Sequence, residues 1–283
     1  MAAILGLGLS AHALVDEGER VGVLPDVTDY DDIHKLADAL DTPGDGPTIA
    51  IVPTWIDEAA FMRLRTAHSL LPERHLAVHR TSLPPLAAAG VAALVSALGT
   101  RLAPGVLAAA APALDGEVRA YAWLGSVRSL TRPKPSFGQR LRSSWPGSAF
   151  AASVSPPWVR NAKDPAAVPE RLAHPTRLAY AAVGQAERGW VTESLAAALG
   201  ATSVDEVNSA ALSPEWWGTE ALVEAVALPV DLDDLARRVG AELDPWPCPW
   251  CEALIAATPC AFCGHAIGRP DGDARRAHVG TAA

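Results

Sequence analysis

Four cysteines, Cys248, Cys251, Cys260 and Cys263, are all the cysteines in the chain. They fall in one short stretch, CPWCEALIAATPCAFCG, as two C-x-x-C knuckles separated by eight residues. Thiolates at that spacing can wrap tetrahedrally around Zn²⁺, and four of them leave no open position, so such a metal is structural rather than catalytic. Gly264 follows the second knuckle, where the turn toward the sulfurs needs backbone freedom. Two disulfides or a dithiol redox pair are the alternatives. An intracellular chain disfavours the first, and the flanking residues do not resemble a thioredoxin-type site. Short zinc ribbons ending in F-C-x-x-C-G are similar, although Phe262 here sits inside the second knuckle.

Other residues suited to chemistry are dispersed. There is no H-x-x-x-H pair, no Walker loop and no G-x-S-x-G. His12, His34, His68, His75, His79 and His174 are scattered, as structural or exposed histidines are. Asp26, Asp29, Asp31 and Asp32 could hold a cation, but they more simply cap a helix. One segment stands out by charge. Residues 118–163 hold eight basic residues and no acidic one, in a chain of net charge −9. Arg128, Arg132, Lys134, Arg140, Arg142, Arg160 and Lys163 are interleaved there with Phe137, Trp145 and Trp158. This pattern suits an anionic partner, with Arg and aromatic side chains able to stack on single-stranded nucleic acid. A solvated, proline-rich connector that balances acidic surface elsewhere gives the same pattern.

Composition bounds the rest. The chain has 283 residues, 49% hydrophobic and 19% charged, enough for one large or two modest globular domains. The apolar start, Met1 to Leu9, lacks the basic flank of a secretory signal and reads as part of a first strand. The longest apolar run, residues 86–98, is too short to span a bilayer. The expectation is a cytoplasmic protein with no membrane association.

The elements that must position these residues alternate. Thr48 to Val52 reads as a buried strand stopped by Pro53. A helix follows from Asp57, with Ala60, Leu64, Ala67 and Leu71 on one face. Leu76 to His79 is a second strand. Pro84 and Pro85 open an Ala-rich helix through Leu98 that is apolar nearly all round and therefore buried. Strand, helix, strand, helix implies a mostly parallel sheet covered by helices. Residues 1–25 allow two readings. Gly6-x-Gly8-x-x-Ala11, with Asp26 twenty positions on, has the shape of a dinucleotide fingerprint. A β-hairpin, Ala13–Val15 against Arg20–Leu24 across Gly18, is the reading preferred here. Asp29 to Asp32 starts a helix through Leu40. Gly105–Leu114 and Val118–Leu124 read as a hairpin turning at Asp115-Gly116. Arg177–Val183 is a strand, Trp190–Leu199 a helix closed by Gly200, and further helices are expected near 205–212, 214–227 and 231–239.

Several of these stretches resemble DnaK-type heat-shock chaperones. Ile51-Val52-Pro53-Thr54-Trp55 matches the family's V-P-A strand end, and Leu83-Pro84-Pro85-Leu86-Ala87-Ala88-Ala89 matches its E-P-T-A-A-A-L-A-Y-G helix. The resemblance implies an α/β fold of the actin-like, ribonuclease-H-like kind. It would be two-lobed, shortened, and followed by a zinc ribbon. It places nucleotide-binding turns at Gly6, Gly8 and Ser10 and at Gly184 and Arg188. The family's loop carboxylates are missing at Ile4 to Gly6 and at Ala108–Pro112, so ATP is doubtful and any magnesium carboxylate would have to be Asp26 or Asp115.

The expected organisation is a first α/β lobe over 1–124, a basic connector and second lobe over 125–243, the zinc ribbon over 244–268 and a disordered tail over 269–283. The expected function is a non-catalytic adaptor, on a degenerate chaperone-like ATPase fold, that binds another protein through the ribbon. An ATP-binding chaperone-like ATPase and a nucleic-acid-associated protein using residues 119–163 are the alternatives.

Overall fold

The computed structural model describes residues 3–7, 14, 21–24, 32–41, 47–71, 76–164, 171–208 and 212–266. Gly8, Ser10, Asp26 and the tail over 269–283 lie outside them.

The stretch 48–98 folds as its pattern predicts. Thr48–Pro53 is β3, buried along its whole length. The helix Glu58–Ser69 (α2) buries Ala60, Leu64 and Ala67, and Leu76–Thr81 is β4. Pro85–Leu98 (α3) starts with proline in its first turn, where the missing N–H costs nothing. Two earlier strands, Ala3–Leu7 (β1) and Val21–Leu24 (β2), and the helix Ile33–Asp41 (α1) complete a unit with a four-stranded parallel sheet of order β2-β1-β3-β4. The two faces of β3 separate cleanly. Ala50 and Val52 join α1 and α2 in one core, whereas Ile49 and Ile51 face α3 in another. Such burial on both faces is the signature of a covered parallel sheet.

The second sheet is mostly antiparallel. It takes Arg119–Leu124 (β5), Phe150–Val154 (β6), Pro157–Asn161 (β7), Thr176–Val183 (β8), Val204–Glu206 (β9) and Leu222–Pro229 (β10) in the order β7-β6-β5-β10-β8-β9. Strand β10 lies at its centre and is buried throughout. Val223, Ala225 and Ala227 pack under the helical segment Trp190–Leu199, which begins as a π-helix and closes as a short α-helix, Ala196–Leu199 (α6). Val226 and Leu228 point the other way, to α3 and to Pro104–Glu117 (α4). The helices α3 and α4 therefore form a layer between the two sheets, and one continuous core runs from Ile49 and Ile51 through Val91 and Leu107 to Val226 and Leu228.

Several expectations are corrected here. The chain is α/β with two sheets, but it is not actin-like: the space between the sheets is filled by α3 and α4 rather than left as a nucleotide cleft. Of the first expected hairpin, Ala13 and residues 15–20 lie outside the described residues; its second arm, β2, pairs in parallel with β1, Ile4 beside Val21 and Leu7 beside Leu24. The second expected hairpin does not form. Residues 105–114 belong to helix α4, consistent with the high helix propensity of alanine. The helix expected over 214–227 is a five-residue helix, Ser213–Trp217 (α7), followed by β10. The helix expected near 205–212 is replaced in part by β9.

The final helix, Leu232–Gly240 (α8), follows the sequence rules closely. Asp231 caps it by accepting from the Asp234 N–H at 2.9 Å, and Arg237 and Arg238 lie in its last turn. Beyond it, Trp246–Pro247 (β11) and Leu254–Ile255 (β12) make a small antiparallel pair that carries the cysteines. Among the described residues no helix is long and apolar enough to cross a membrane.

Candidate functional site

The four cysteine sulfurs converge. Their Sγ atoms all lie within 4.8 Å of one another, with Cys248 3.8 Å from Cys263 and Cys251 3.7 Å from Cys260. The sulfurs of a Zn²⁺ tetrathiolate with bonds of about 2.3 Å stand about 3.8 Å apart, as the edges of a tetrahedron. A disulfide would need about 2.05 Å; all four cysteines are free thiols. Donation from the Cys251 backbone N–H brings the Cys248 thiol down to about 7, whereas burial pushes the Cys251 thiol up to about 12.

The knuckles are part of the main core. Trp246, Cys248, Ile255, Cys260 and Phe262 are buried in the same cluster as α3 and α4. The seat is Gly105 in the first turn of α4. A Cβ there would stand 2.0 Å from the Leu254 carbonyl oxygen, so only glycine lets the ribbon backbone lie against the helix. Trp250 is exposed beside the site and stacks on His265, with ring centroids 5.2 Å apart.

A second constellation lies at the carboxyl ends of the parallel strands. β3 ends at Pro53 and β4 at Thr81, and the Thr54 N–H donates to the Thr81 carbonyl at 2.8 Å. The Trp55 indole N–H closes the same loop onto the Leu83 carbonyl at 2.9 Å. The hydroxyl-bearing Thr54 and Ser82 are exposed there, and among the described residues neither hydroxyl has a hydrogen-bond partner. In a sheet of order β2-β1-β3-β4 the chain direction of sequence reverses between β1 and β3. The carboxyl edge at such a switch point is where open α/β sheets bind ligands.

Below this edge sits Glu224 of β10, fully buried. Its Oε1 accepts from the Leu86 backbone N–H at 3.0 Å, in the first turn of α3, and its Oε2 accepts from the Ser213 hydroxyl at 2.5 Å. Burial pushes its pKa up to about 7, against the lowering by these donors and by the nearby Trp217 indole. Sequence reasoning missed this residue because β10 reads as helix; a glutamate alone in an otherwise apolar run, LVEAVALP, was the available signal.

The remaining expected site residues are dispersed. Gly6 lies within β1, between Val23 of β2 and Ile51 of β3. Gly184, at φ +64, turns the chain after β8, and its added Cβ would meet the Glu220 carbonyl oxygen at 2.6 Å. Arg188 pairs with Glu206 at 3.0 Å. Asp115 pairs with His79 at 3.0 Å. Arg128, Arg132, Lys134, Arg140, Arg142, Arg160 and Lys163 are all exposed, and the Arg160 guanidinium lies 4.8 Å from the Trp158 ring centre. A depression of about 670 Å³, open to solvent, lies between α1 and α2 and is lined by Asp32, Ile33, Ala59, Met62, Arg63 and Thr66.

No known sequence-family model matches the chain, and no curated protein matches it in sequence. Its fold, however, is known. It is similar to a DegV family protein from Eubacterium eligens loaded with heptadecanoic acid, at 12% identity over 81% of this chain and 100% of that one, with a TM-score of 0.53. A fatty-acid-binding DegV family protein from Thermus thermophilus matches at 12% identity over 81% and 99%, with a TM-score of 0.56. The Streptococcus pneumoniae fatty acid kinase B3 protein, loaded with linoleic acid, matches at 8% identity over 81% and 99%, with a TM-score of 0.50. The chain has the DegV-like fold.

That likeness overturns the resemblance to DnaK-type chaperones, and with it the actin-like ATPase, the ATP site and the adaptor built on a decayed ATPase. It also displaces the nucleic-acid reading of residues 119–163. The resemblance in residues 51–55 and 83–89 reflects a strand end and a proline-led, Ala-rich helix, which any covered parallel sheet with a buried helix layer can share.

Proposed function

We propose that the chain is a carrier of long-chain carboxylic acids. The observation that supports this most strongly is the DegV-like fold, whose neighbours from Eubacterium eligens and Streptococcus pneumoniae hold heptadecanoic and linoleic acid. The chain spans nearly the whole length of those proteins, so the likeness is not confined to one lobe. The carboxyl edge of the parallel sheet supplies the polar end of such a site. Thr54 and Ser82 present two uncommitted hydroxyls, held in place by the Thr54–Thr81 and Trp55–Leu83 hydrogen bonds. The neighbouring apolar layer between the sheets, where α3 presents Ala, Gly, Val and Leu around Ala87, Ala88, Val91 and Leu94, is closely packed and must open to admit an acyl chain. A few convergent polar groups on an otherwise apolar wall is the usual composition of a lipid site.

Ser213 and Glu224 are within hydrogen-bond reach of each other, but both are fully buried, so the pair fixes structure and has no access to substrate. A protein partner that receives or delivers the acid fits the same reading, as the name of the Streptococcus pneumoniae neighbour suggests.

We infer further that Cys248, Cys251, Cys260 and Cys263 hold Zn²⁺ as four thiolates. The sulfur spacing and the absence of an open ligand position favour a structural ion. Its contribution is to fix the ribbon on α4 at Gly105.

Calorimetric titration with hexadecanoic acid tests the carrier reading. Binding in the micromolar range or tighter is expected, weakened about tenfold in Thr54→Ala/Ser82→Ala, which corresponds to about 1.4 kcal/mol. Absence of heat with saturated and unsaturated long-chain acids alike would refute it.

A further inference from the structure

The short helix Phe137–Arg142 (α5) is mounted inside out. A surface helix ordinarily buries its apolar stripe and shows its polar face to water. Here the polar side holds the helix to the protein. Gln139 Nε2 donates to the Val159 carbonyl at 2.7 Å, Arg140 Nη2 to the Leu130 carbonyl at 3.3 Å, and Ser143 Oγ accepts from the Val127 N–H at 3.0 Å. The capping box formed by Ser136 and Gln139 fixes its start. On the opposite face, at four-residue spacing, stand Phe137, Leu141 and Trp145, which are 83%, 58% and 66% exposed. No residue of α5 is buried.

Positive charge is dense in the same stretch of chain. Arg128, Arg132, Lys134, Arg140 and Arg142 are exposed, and among the described residues no ion pair joins any of them to a carboxylate. Residues 118–163 contain no acidic residue at all. In a chain of net charge −9, unneutralised cations in the same stretch as an exposed apolar tip are not explained by solubility.

We propose that this face docks the protein on an anionic lipid surface, with Phe137, Leu141 and Trp145 entering the headgroup region and the flanking arginines and lysine holding the lipid phosphates. Composition, not size, favours this occupant over a protein: three such side chains offer on the order of 500 Å² of apolar surface, about the apolar share of a standard protein interface. Trp and Phe with Leu on one side and Lys or Arg around them is the composition of an interfacial anchor. Such docking needs no helix that crosses the bilayer. Each cation near an anionic membrane strengthens binding by about fivefold, and salt screens it.

The test is sedimentation of the full, ligand-free chain with vesicles of phosphatidylcholine alone and of phosphatidylcholine mixed with phosphatidylglycerol. The protein is expected to sediment with the mixed vesicles at least about tenfold more strongly than with the neutral ones at low salt. Phe137→Ser/Leu141→Ser/Trp145→Ser should lose that binding while keeping its melting temperature, because all three side chains are exposed. Arg132→Gln/Lys134→Gln/Arg142→Gln should weaken it and flatten its salt dependence. Equal sedimentation with neutral vesicles, no sedimentation with anionic ones, or an unchanged triple serine variant would overturn the proposal. So would capture of polyglutamate or single-stranded RNA in place of vesicles. Because no fatty acid is added, failure here leaves the carrier reading standing, and failure of the carrier reading leaves this one standing.

Discussion

The Leu86 N–H donates to the Glu224 carboxylate at 3.0 Å across 138 residues of sequence. This one bond joins the first turn of α3, which closes the parallel sheet, to the central strand of the antiparallel sheet. The positive end of the helix dipole favours the ionised carboxylate there, but complete burial opposes it, and burial prevails.

Stability should therefore fall as pH rises through the neutral range. The folded-state pKa of Glu224 is raised from 4.5 to about 7, so its contribution is fully present below about 4.5 and is lost as pH passes 7. The shift corresponds to on the order of 3 kcal/mol between the two limits. Glu224→Gln should flatten this part of the pH profile, read by chemical denaturation at pH 5 and pH 8 in both proteins. A variant whose profile keeps the wild-type slope would show that another group titrates.

Removing the zinc proposed for the four cysteines should loosen the core as well as the segment that carries them, because Trp246, Ile255 and Phe262 pack with α3 and α4. Cys251→Ser, or a strong chelator acting on the native chain, is expected to lower the melting temperature by several degrees and to leave about one zinc per chain missing by elemental analysis. A melting curve indifferent to chelator in a zinc-containing preparation would contradict the clamp.

Gly105→Ala places a methyl group against the Leu254 carbonyl. One of the two backbones must move, at a cost of about 1–3 kcal/mol. The same substitution at Gly116, where an added Cβ meets nothing within 4 Å, is the control and should be close to neutral. Equal effects at the two positions would mean that the ribbon does not lie on α4 as described.

The parts of the fold legible in the sequence were those with a single periodicity. Residues 48–98 carry a buried strand pattern, proline stops and an all-apolar helix, and the structure follows them within a residue or two. The last helix was legible over 231–239, and the structure adds the Asp231 cap and the arginines of its last turn. Alanine-rich and mixed segments were not. Residues 104–117 bury Leu107, Ala110, Ala111 and Leu114 on one face, but alanines on both faces blur that stripe in the sequence, so Asp115-Gly116 passed for a hairpin turn inside what is a helix. β10 contains apolar residues on both faces, as a central strand must, and its Glu224 is a long-range partner of Leu86 that no local pattern reveals. The cysteine cluster was legible outright, since two knuckles at that spacing have few other uses. The candidate ligand edge was not, because Thr54 and Ser82 gain meaning only when β3 and β4 lie side by side.

The most direct test of the carrier reading is extraction of the protein purified under native conditions and identification of what it releases. The account predicts roughly one equivalent of long-chain fatty acid per chain, reduced in Thr54→Ala/Ser82→Ala. Protein that carries no acid, and that takes none up from a hexadecanoic acid–albumin mixture, would contradict it.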